Sequence, residues 1–201
     1  NLYKVWNIIR VTCKNRKDVY YFQLNLHINI MNIYNSLKNR DYTPSKYRTF
    51  LIFEPKERLV MSQCIKDKIV NHFVANYYLL PILDNSLIYE NIATRKNKGT
   101  SMGMNLVKKH LNKIIIKEKP KEIYALKLDI SKYFYSIDHM ILLDMLKKKI
   151  KDRDVINLIS LILAETNKDY INESINKYNK ILSTDIPLYG NNRGLSIGAM
   201  T

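Results

Sequence analysis

The sequence predicts an α/β fold of the α+β type, in which helices pack on short antiparallel strands. Apolar residues recur at three-to-four spacing along several long segments, a period typical of amphipathic helices. One short segment, residues 48–53, is instead rich in aromatic and β-branched residues and is stopped by Pro55, which is typical of a strand leading into a turn, and residues 58–61 could be its hairpin partner. Of the 201 residues, 46% are hydrophobic, which is enough to bury a core in one medium domain or two small ones.

The first half of the chain is predicted to run helix, hairpin, helix. The predicted elements are a helix over residues 20–39, hairpin strands over 48–53 and 58–61, and a helix from residue 65. That last helix should end at Pro81, because proline lacks the amide proton that a helix interior requires.

The second half begins with a polar, basic loop over residues 91–103. Further elements are predicted as a helix over 104–117, a strand over 122–129, and helices capped by Ser136 and Asp152. Serine and aspartate suit the N-cap position because their side-chain oxygens accept hydrogen bonds from first-turn amides. Residues 167–183 are polar and weakly patterned, so we expect them to be irregular or partly helical.

The chain is strongly basic. It carries 33 Lys and Arg against 18 Asp and Glu, a formal net charge of +15, which favours a polyanionic partner such as nucleic acid. The alternative is compositional: Asn, Ile, Lys and Tyr are so abundant that an AT-rich genome could supply the lysines without any binding role.

Cysteine usage and hydropathy indicate a cytoplasmic location. Cys13 and Cys64 are far apart in sequence, so neither a disulfide framework nor a zinc site is expected. No apolar run approaches the roughly 18 to 20 residues of a membrane span, and no signal segment opens the chain. The sequence begins at Asn1 and stops at Thr201 directly after a glycine-containing motif, so we expect a fragment of a longer protein.

The most informative segment places a carboxylate at the end of a predicted strand. It reads Tyr124-Ala-Leu-Lys-Leu-Asp129-Ile-Ser-Lys-Tyr-Phe134, an apolar strand followed by Asp129 and, five residues later, by an aromatic side chain. Strand ends are common positions for reactive groups in α/β proteins. Taken alone, Asp129 could equally cap a turn.

Three further segments accompany it in a definite order. They are Tyr47-Arg-Thr-Phe-Leu-Ile-Phe-Glu-Pro-Lys56-Glu-Arg58, Ile92-Ala-Thr-Arg95-Lys-Asn-Lys98-Gly99-Thr, and Gly194-Leu-Ser-Ile-Gly198. With the Asp129 segment they resemble, in order along the chain, the fingers hairpin, the basic loop, motif A and motif B of reverse transcriptases. Ser196 stands where motif B of that family usually has proline.

The resemblance covers nearly the whole chain and implies a division into two regions. Residues 1–119 would form the fingers, and residues 120–201 the N-terminal part of the palm. Among bacterial retroelement enzymes, which include retrons, the hairpin and the basic loop look more like diversity-generating-retroelement and abortive-infection enzymes than group II intron maturases.

The resemblance implies RNA-directed DNA polymerase activity with two Mg²⁺ ions, which hold the attacking and leaving oxygens of phosphoryl transfer. Asp129 would ligate these ions together with the backbone carbonyl of Ile130, since hard cations take oxygen ligands. The family's other carboxylates lie in a downstream Tyr-x-Asp-Asp turn, and this sequence contains no Asp-Asp pair. The chain by itself is therefore expected to be inactive.

Four further residues match the family's substrate-binding positions. Lys56 and Arg58 would hold the triphosphate of the incoming dNTP, unless they belong to a solvated turn. Phe134 would pack beneath the sugar and exclude a 2′-hydroxyl, unless it is an ordinary core residue. Gly198 would let the backbone approach the templating base pair, unless it is a simple turn glycine.

The basic loop would meet the RNA template and DNA primer. Arg95, Lys96 and Lys98, beside Gly99, are expected to contact backbone phosphates, which makes binding salt-dependent. Most other lysines are expected to lie on solvated helix faces, and the four histidines to be structural or surface residues.

Two other functions stay open at this point. A template-independent or protein-primed antiviral polymerase would keep Asp129 without binding a long template. A non-catalytic nucleic-acid-binding or assembly module would keep the fold alone. A chain that ends within the palm would also expose apolar surface, so self-association is expected.

Overall fold

The computed structural model describes residues 1–13, 16–54 and 57–196 of the chain. Helices dominate it, and the described strands form one antiparallel pair, which confirms the α+β class. Lys56 and Gly198 lie outside the described residues. The helices are α1 (Leu2–Thr12), α2 (Arg16–Leu24), α3 (Leu26–Asn39), α4 (Ile65–Val74), α5 (Leu80–Leu83), α6 (Thr100–Glu118), α7 (Tyr133–Ser136), α8 (His139–Lys149), α9 (Arg153–Ala164) and α10 (Asp169–Leu182).

The chain divides into two compact units. The first unit comprises Asn1–Leu79 and Lys132–Thr201, and the second comprises Leu80–Ser131. These units are defined by packing, whereas the division at residue 119 follows a functional resemblance, which stays a prediction.

The hairpin in the first unit has the predicted form. Strands β1 (Arg48–Ile52) and β2 (Arg58–Ser62) pair antiparallel, with Phe50 opposite Val60. Successive side chains of a strand point to opposite faces, and on β2 this alternation buries Leu59 and Met61 completely.

Two apolar clusters lie within the core of the first unit. One joins α1, α3 and α4 around Trp6, Ile9 and Ile69, and the Trp6 ring packs 5.0 Å from that of Phe22. The other joins the hairpin to α10, where Ile171 and Ile175 are fully buried beside Leu59 and Met61; its members are Tyr47, Leu59, Met61, Ile171, Ile175, Ile186 and Tyr189.

The predicted single helix over residues 20–39 is two helices. The break falls at Asn25, whose backbone (φ −120°, ψ 40°) leaves the helical region. The side-chain amide of Asn29 donates to the Phe22 carbonyl at 2.9 Å, which satisfies an acceptor exposed by the break. Hydrophobic spacing continues across such a break, so the pattern could not reveal it.

The predicted helix end at Pro81 is wrong. Helix α4 continues through a π-helical turn, Ala75–Leu79, into α5, which contains Pro81. Pro81 directly follows the π-helical turn, where the regular i→i−4 bonding is already interrupted, so its missing amide proton removes no bond from a regular α-helix.

The predicted strand over residues 122–129 is absent. Residues 122–130 have no regular secondary structure, and Tyr124, Leu126 and Leu128 are each at least 80% exposed. A strand forms only against a pairing edge, and no segment of the described chain pairs with this one. The segment therefore has the alternating pattern of a strand but no neighbouring strand to pair with among the described residues.

Two further predictions in this half need correction. Ser136 ends the four-residue α7, and the N-cap of α8 is Asp138, whose carboxylate accepts from the amides of Met140 and Ile141. Residues 169–182 form a full helix, because Ile171 and Ile175 provide a buried stripe on an otherwise polar segment. The N-cap prediction for Asp152 is confirmed, since its carboxylate accepts from the amides of Asp154 and Val155.

Among the described residues, no helix combines the length and apolar character needed to cross a membrane.

Candidate functional site

Two segments that the sequence singled out separately meet in the first unit. The residues from Phe134 to His139 and the residues around Gly194 are joined by three backbone hydrogen bonds: Leu195 N to Phe134 O (2.6 Å), Gly194 N to Ile137 O (2.7 Å) and His139 N to Asn192 O (2.8 Å). Asp138 and Arg193 form an isolated antiparallel bridge between them. We call residues 134–139 and 192–195, with these bonds, the junction.

Gly194 is required at the junction for two reasons. Its φ of +94° is a backbone conformation that side-chain-bearing residues rarely adopt. A Cβ at this position would also overlap the ring of Tyr189, and would lie 3.2 Å from the Phe134 carbonyl oxygen. The Tyr189 hydroxyl donates to the Leu195 carbonyl at 3.0 Å, so this ring forms a wall behind the motif B segment.

The Gly194 carbonyl accepts two side-chain hydrogen bonds. His139 Nε2 lies 2.7 Å from this oxygen, and Thr166 Oγ1 lies 3.1 Å from it. Because a carbonyl oxygen only accepts, His139 Nε2 must carry a proton. Both side chains are buried, so water does not compete for these bonds.

Asn167 and Asn172 complete the support of this segment. The side-chain amide of Asn167 donates to the carbonyls of Gly190 and Arg193, each at 2.9 Å. Asn172 pairs with both backbone polar groups of Tyr189, also at 2.9 Å. Side chains from α8, α10 and the turn between α9 and α10 therefore hold residues 189–195.

Phe134 lies in α7 at the edge of the junction. Its side chain is 44% exposed, and its ring makes an edge contact with Tyr133 at 5.5 Å between centroids. This exposure argues against the alternative of an ordinary core residue. The contact with a sugar stays a prediction.

Arg58 is exposed at the start of β2, directly after the hairpin turn. Burial raises the pKa of the Tyr135 hydroxyl, and the positive charge of Arg58 opposes that rise, so the guanidinium acts on Tyr135. Tyr135 follows Phe134, its ring packs 4.7 Å from that of Tyr189, and it packs against the apolar cluster that contains Leu59 and Met61 of β2.

The hairpin is tied to the motif B segment through Tyr47. Burial raises the pKa of this tyrosine, and hydrogen bonds from Ser196 and Gln63 oppose the rise. The Tyr47 amide donates to the Tyr170 hydroxyl at 2.9 Å, which in turn donates to the buried carboxylate of Glu165 at 2.7 Å.

Asp129 and Ile130 belong to the second unit. Asp129 is exposed, and its Oδ1 accepts from the Ile130 amide at 3.0 Å. Throughout the described residues, no group of three or more His, Cys, Asp or Glu side chains lies together in a way that could hold a metal ion. One carboxylate and one carbonyl do not suffice for a pair of Mg²⁺ ions, so the described residues by themselves do not fit that cofactor.

Arg95 organises the loop that precedes α6. Its Nε donates to Asp84 Oδ1 at 2.6 Å, and its terminal nitrogens donate to the carbonyls of Asp84, Ile88 and Asn91. The hydrogen bond from Arg95 lowers the pKa of the Asp84 carboxyl. This geometry favours a structural role for Arg95, and its phosphate contact stays a prediction.

The other residues of the loop differ in what they contact. Lys96 is exposed, whereas Lys98 donates to the Tyr89 carbonyl and lies over the Tyr89 ring, 4.4 Å from its centroid. Gly99 is the N-cap of α6 with φ +154°, and a Cβ at this position would have no atom within 4 Å of it. Lys96 is therefore the residue of this group most open to a phosphate.

The sequence did not single out Thr166, Asn167 or Tyr189, and it classed His139 only among structural or surface residues. The backbone groups that they bind within residues 190–195 lie at least six residues away in sequence, which a linear pattern does not reveal. The histidine next to the Asp138 N-cap was the one signal that could have drawn attention to this place.

Neither the protein-family models nor the curated proteins compared with this chain gave a match.

Proposed function

We propose that this chain contributes the fingers and part of the palm to an RNA-directed DNA polymerase, which adds dNTPs to a DNA primer on an RNA template. The observation that carries the proposal is the junction. The resemblances to motif A and to motif B lie about 60 residues apart in the sequence. The junction joins residues 134–139, which follow Asp129, to residues 192–195, where the resemblance to motif B begins. Unrelated segments that matched by chance would have no reason to meet.

Each proposed role corresponds to a residue with suitable chemistry. Arg58 offers a forked guanidinium to the triphosphate, a geometry that suits bidentate contact with phosphate oxygens. Phe134 offers an exposed ring to the sugar, and Lys96 offers an exposed ammonium to a backbone phosphate. Asp129 offers an exposed carboxylate for Mg²⁺, whose remaining ligands the described residues do not provide.

The test is primer extension by the full-length protein that carries this chain, with Mg²⁺, dNTPs and an RNA template. We expect extension by the wild type and none by Asp129→Asn, which removes a charge and little volume. Asp144→Asn is the matched control, because Asp144 is an exposed carboxylate on α8 whose ion pair with Lys147 is local. Full activity of Asp129→Asn would refute the metal-ligand role.

The 201-residue chain alone should bind nucleic acid but show no extension. Extension by the isolated chain would contradict the expectation that further carboxylates are needed.

A non-catalytic nucleic-acid-binding module is the second candidate, and the net charge of +15 favours it. The two candidates differ in one result. A binding module would retain RNA in a filter-binding assay but would fail to extend any primer at full length, with or without Asp129.

A further inference from the structure

We propose that His139 and Thr166 are positioning residues for Phe134, and that through it they set the preference for deoxyribonucleotides over ribonucleotides. This inference rests on the proposed function and on the role proposed there for Phe134. Neither residue needs to touch a substrate, because both act through one peptide plane of the junction.

Phe134 lies in a helix that is too short to be stable on its own. Helix α7 has four residues, Tyr133–Ser136, and its N-cap Lys132 has a left-handed backbone with φ +53°. Helix formation has a costly first turn, so a helix of this length depends on contacts with the rest of the fold. The bond from Leu195 N to Phe134 O, at 2.6 Å, is the shortest of the backbone bonds of the junction.

The Leu195 amide and the Gly194 carbonyl belong to the same peptide unit. A peptide unit is planar and trans, so its N–H and C=O point in opposite directions and turn together. At the carbonyl end the plane is held by His139 Nε2 (2.7 Å) and Thr166 Oγ1 (3.1 Å). At the amide end of the same plane, the Leu195 N–H donates a hydrogen bond to the Phe134 carbonyl. Fixing the oxygen therefore fixes the direction of the bond that anchors Phe134.

Two donors on one oxygen restrict this plane more than a single donor would. His139 comes from α8 and Thr166 from the turn that follows α9, so the oxygen is held from two directions. Thr166 Oγ1 also lies 2.9 Å from the Leu163 carbonyl, so its single proton is shared between two carbonyl oxygens, and His139 Nε2 at 2.7 Å is the stronger donor to Gly194. Gly194, His139 and Thr166 are all buried, so losing a donor leaves a carbonyl that water cannot readily satisfy.

A ring that excludes a 2′-hydroxyl works by steric penalty, and a small shift of the ring relaxes that penalty. The effect should appear in the ratio of the two kcat/KM values rather than in either value alone. A role limited to stability would instead lower both values together and leave the ratio unaltered.

The experiment measures that ratio in the full-length protein for paired variants. Thr166→Val and His139→Ala remove a donor, whereas Thr166→Ser and His139→Gln keep one. We expect the first pair to raise relative ribonucleotide use about three- to tenfold, the order expected from loss of one buried hydrogen bond, and the second pair to stay near wild type. Phe134→Ala is the reference for complete loss of the ring.

Val70→Ala is the matched control for stability. Val70 is fully buried in the other apolar cluster, so this change should lower the melting temperature without altering the ratio. An unaltered ratio in Thr166→Val and His139→Ala, beside a raised ratio in Phe134→Ala, would overturn the positioning role. An unaltered ratio in Phe134→Ala would overturn it as well, while leaving polymerase activity itself intact.

A second measurement does not depend on catalysis. Hydrogen exchange by mass spectrometry on the same proteins should show faster exchange in the peptide that contains Leu195 for Thr166→Val and His139→Ala, but not for Val70→Ala. Unchanged exchange would reject the relay through the peptide plane, even if the wild type proved unable to extend a primer and the proposed function failed.

Discussion

Replacing Gly194 with alanine should destabilise the first unit by about 2–6 kcal/mol, the sum of a conformational and a steric part. The conformational part arises because a non-glycine residue held at φ +94° costs of order 1–3 kcal/mol. The steric part arises because the new Cβ would overlap the Tyr189 ring, and forcing an extra methyl group into a packed site costs typically about 1–3 kcal/mol.

The Tyr189 ring cannot move aside easily. It is 4% exposed, its hydroxyl is bonded to Leu195, and its backbone is bonded on both sides to Asn172. Its ring also packs 4.7 Å from that of Tyr135. The steric part should therefore not relax away.

Thermal unfolding followed by circular dichroism measures the effect. For a chain of this size each kcal/mol lowers Tm by roughly 2–4 °C, so Gly194→Ala should lower it by roughly 4–24 °C. Gly190→Ala is the matched control, since its new Cβ would lie 3.8 Å from the nearest atom, in the Arg193 side chain, and should cost under about 1 kcal/mol.

A double-mutant cycle separates the two parts. In a Tyr189→Ala background, Gly194→Ala should cost only the conformational part, about 1–3 kcal/mol. Equal melting temperatures for Gly190→Ala and Gly194→Ala would refute both parts of this prediction. If the stability losses of Gly194→Ala and Tyr189→Ala simply add in the double mutant, the steric part is refuted.

Three further predictions follow from other places in the chain. Asp67→Asn should lower the free energy of unfolding, measured with urea, by about 2–4 kcal/mol. The buried Asp67 carboxylate accepts hydrogen bonds from the Tyr42 hydroxyl (2.8 Å) and the Ser45 amide (2.9 Å). The NH₂ group of an asparagine side chain would face one of these two donors and could not accept its hydrogen bond. Burial of Tyr42, and after it the negative charge of Asp67, raises the pKa of the Tyr42 hydroxyl. Above about pH 10 this hydroxyl loses its proton in the unfolded chain but keeps it in the folded chain, so the free energy of unfolding should fall as the pH rises. The fall should be less steep in Tyr42→Phe, which lacks the hydroxyl. Lys96→Ala should reduce the salt dependence of nucleic-acid binding by about 0.7–0.9 in the slope of log K against log salt, as measured by fluorescence anisotropy, whereas Arg95→Ala should mainly lower Tm.

Each of these has a control or a contrary outcome. Asp185→Asn, at an exposed site, should leave the urea midpoint unchanged. Parallel pH profiles for wild type and Tyr42→Phe would exclude Tyr42 as a source of alkaline instability. If Lys96→Ala leaves the salt slope as it was, Lys96 belongs to the solvated surface.

The sequence predicted those elements whose cause is local. The first hairpin strand was recognised because residues 48–53 are rich in aromatic and β-branched residues and stop at Pro55, and α9 was recognised because Asp152 caps an apolar stripe. Both features depend on neighbours within a few residues. The helix over residues 169–182 was missed because its two buried isoleucines matter only once the hairpin covers them.

The prediction for residues 122–129 shows the opposite limit. The alternation of apolar residues before Asp129 is a strand pattern, but a strand needs a partner, and the described residues provide none. The pattern identified the segment and its carboxylate without determining its conformation.

The sequence by itself determined the α+β class and the hairpin, whereas the polymerase-like roles of its residues stay predictions. Only the tertiary structure decided that the segments around Phe134 and Gly194 meet, that Arg95 is bonded within its own loop, and that His139 and Thr166 share one buried carbonyl. The physical reason is that helix and strand patterns depend on residues that are close together in the sequence. A hydrogen bond between backbone groups far apart in the sequence requires no particular side chain at either end, so the sequence carries no pattern that predicts it.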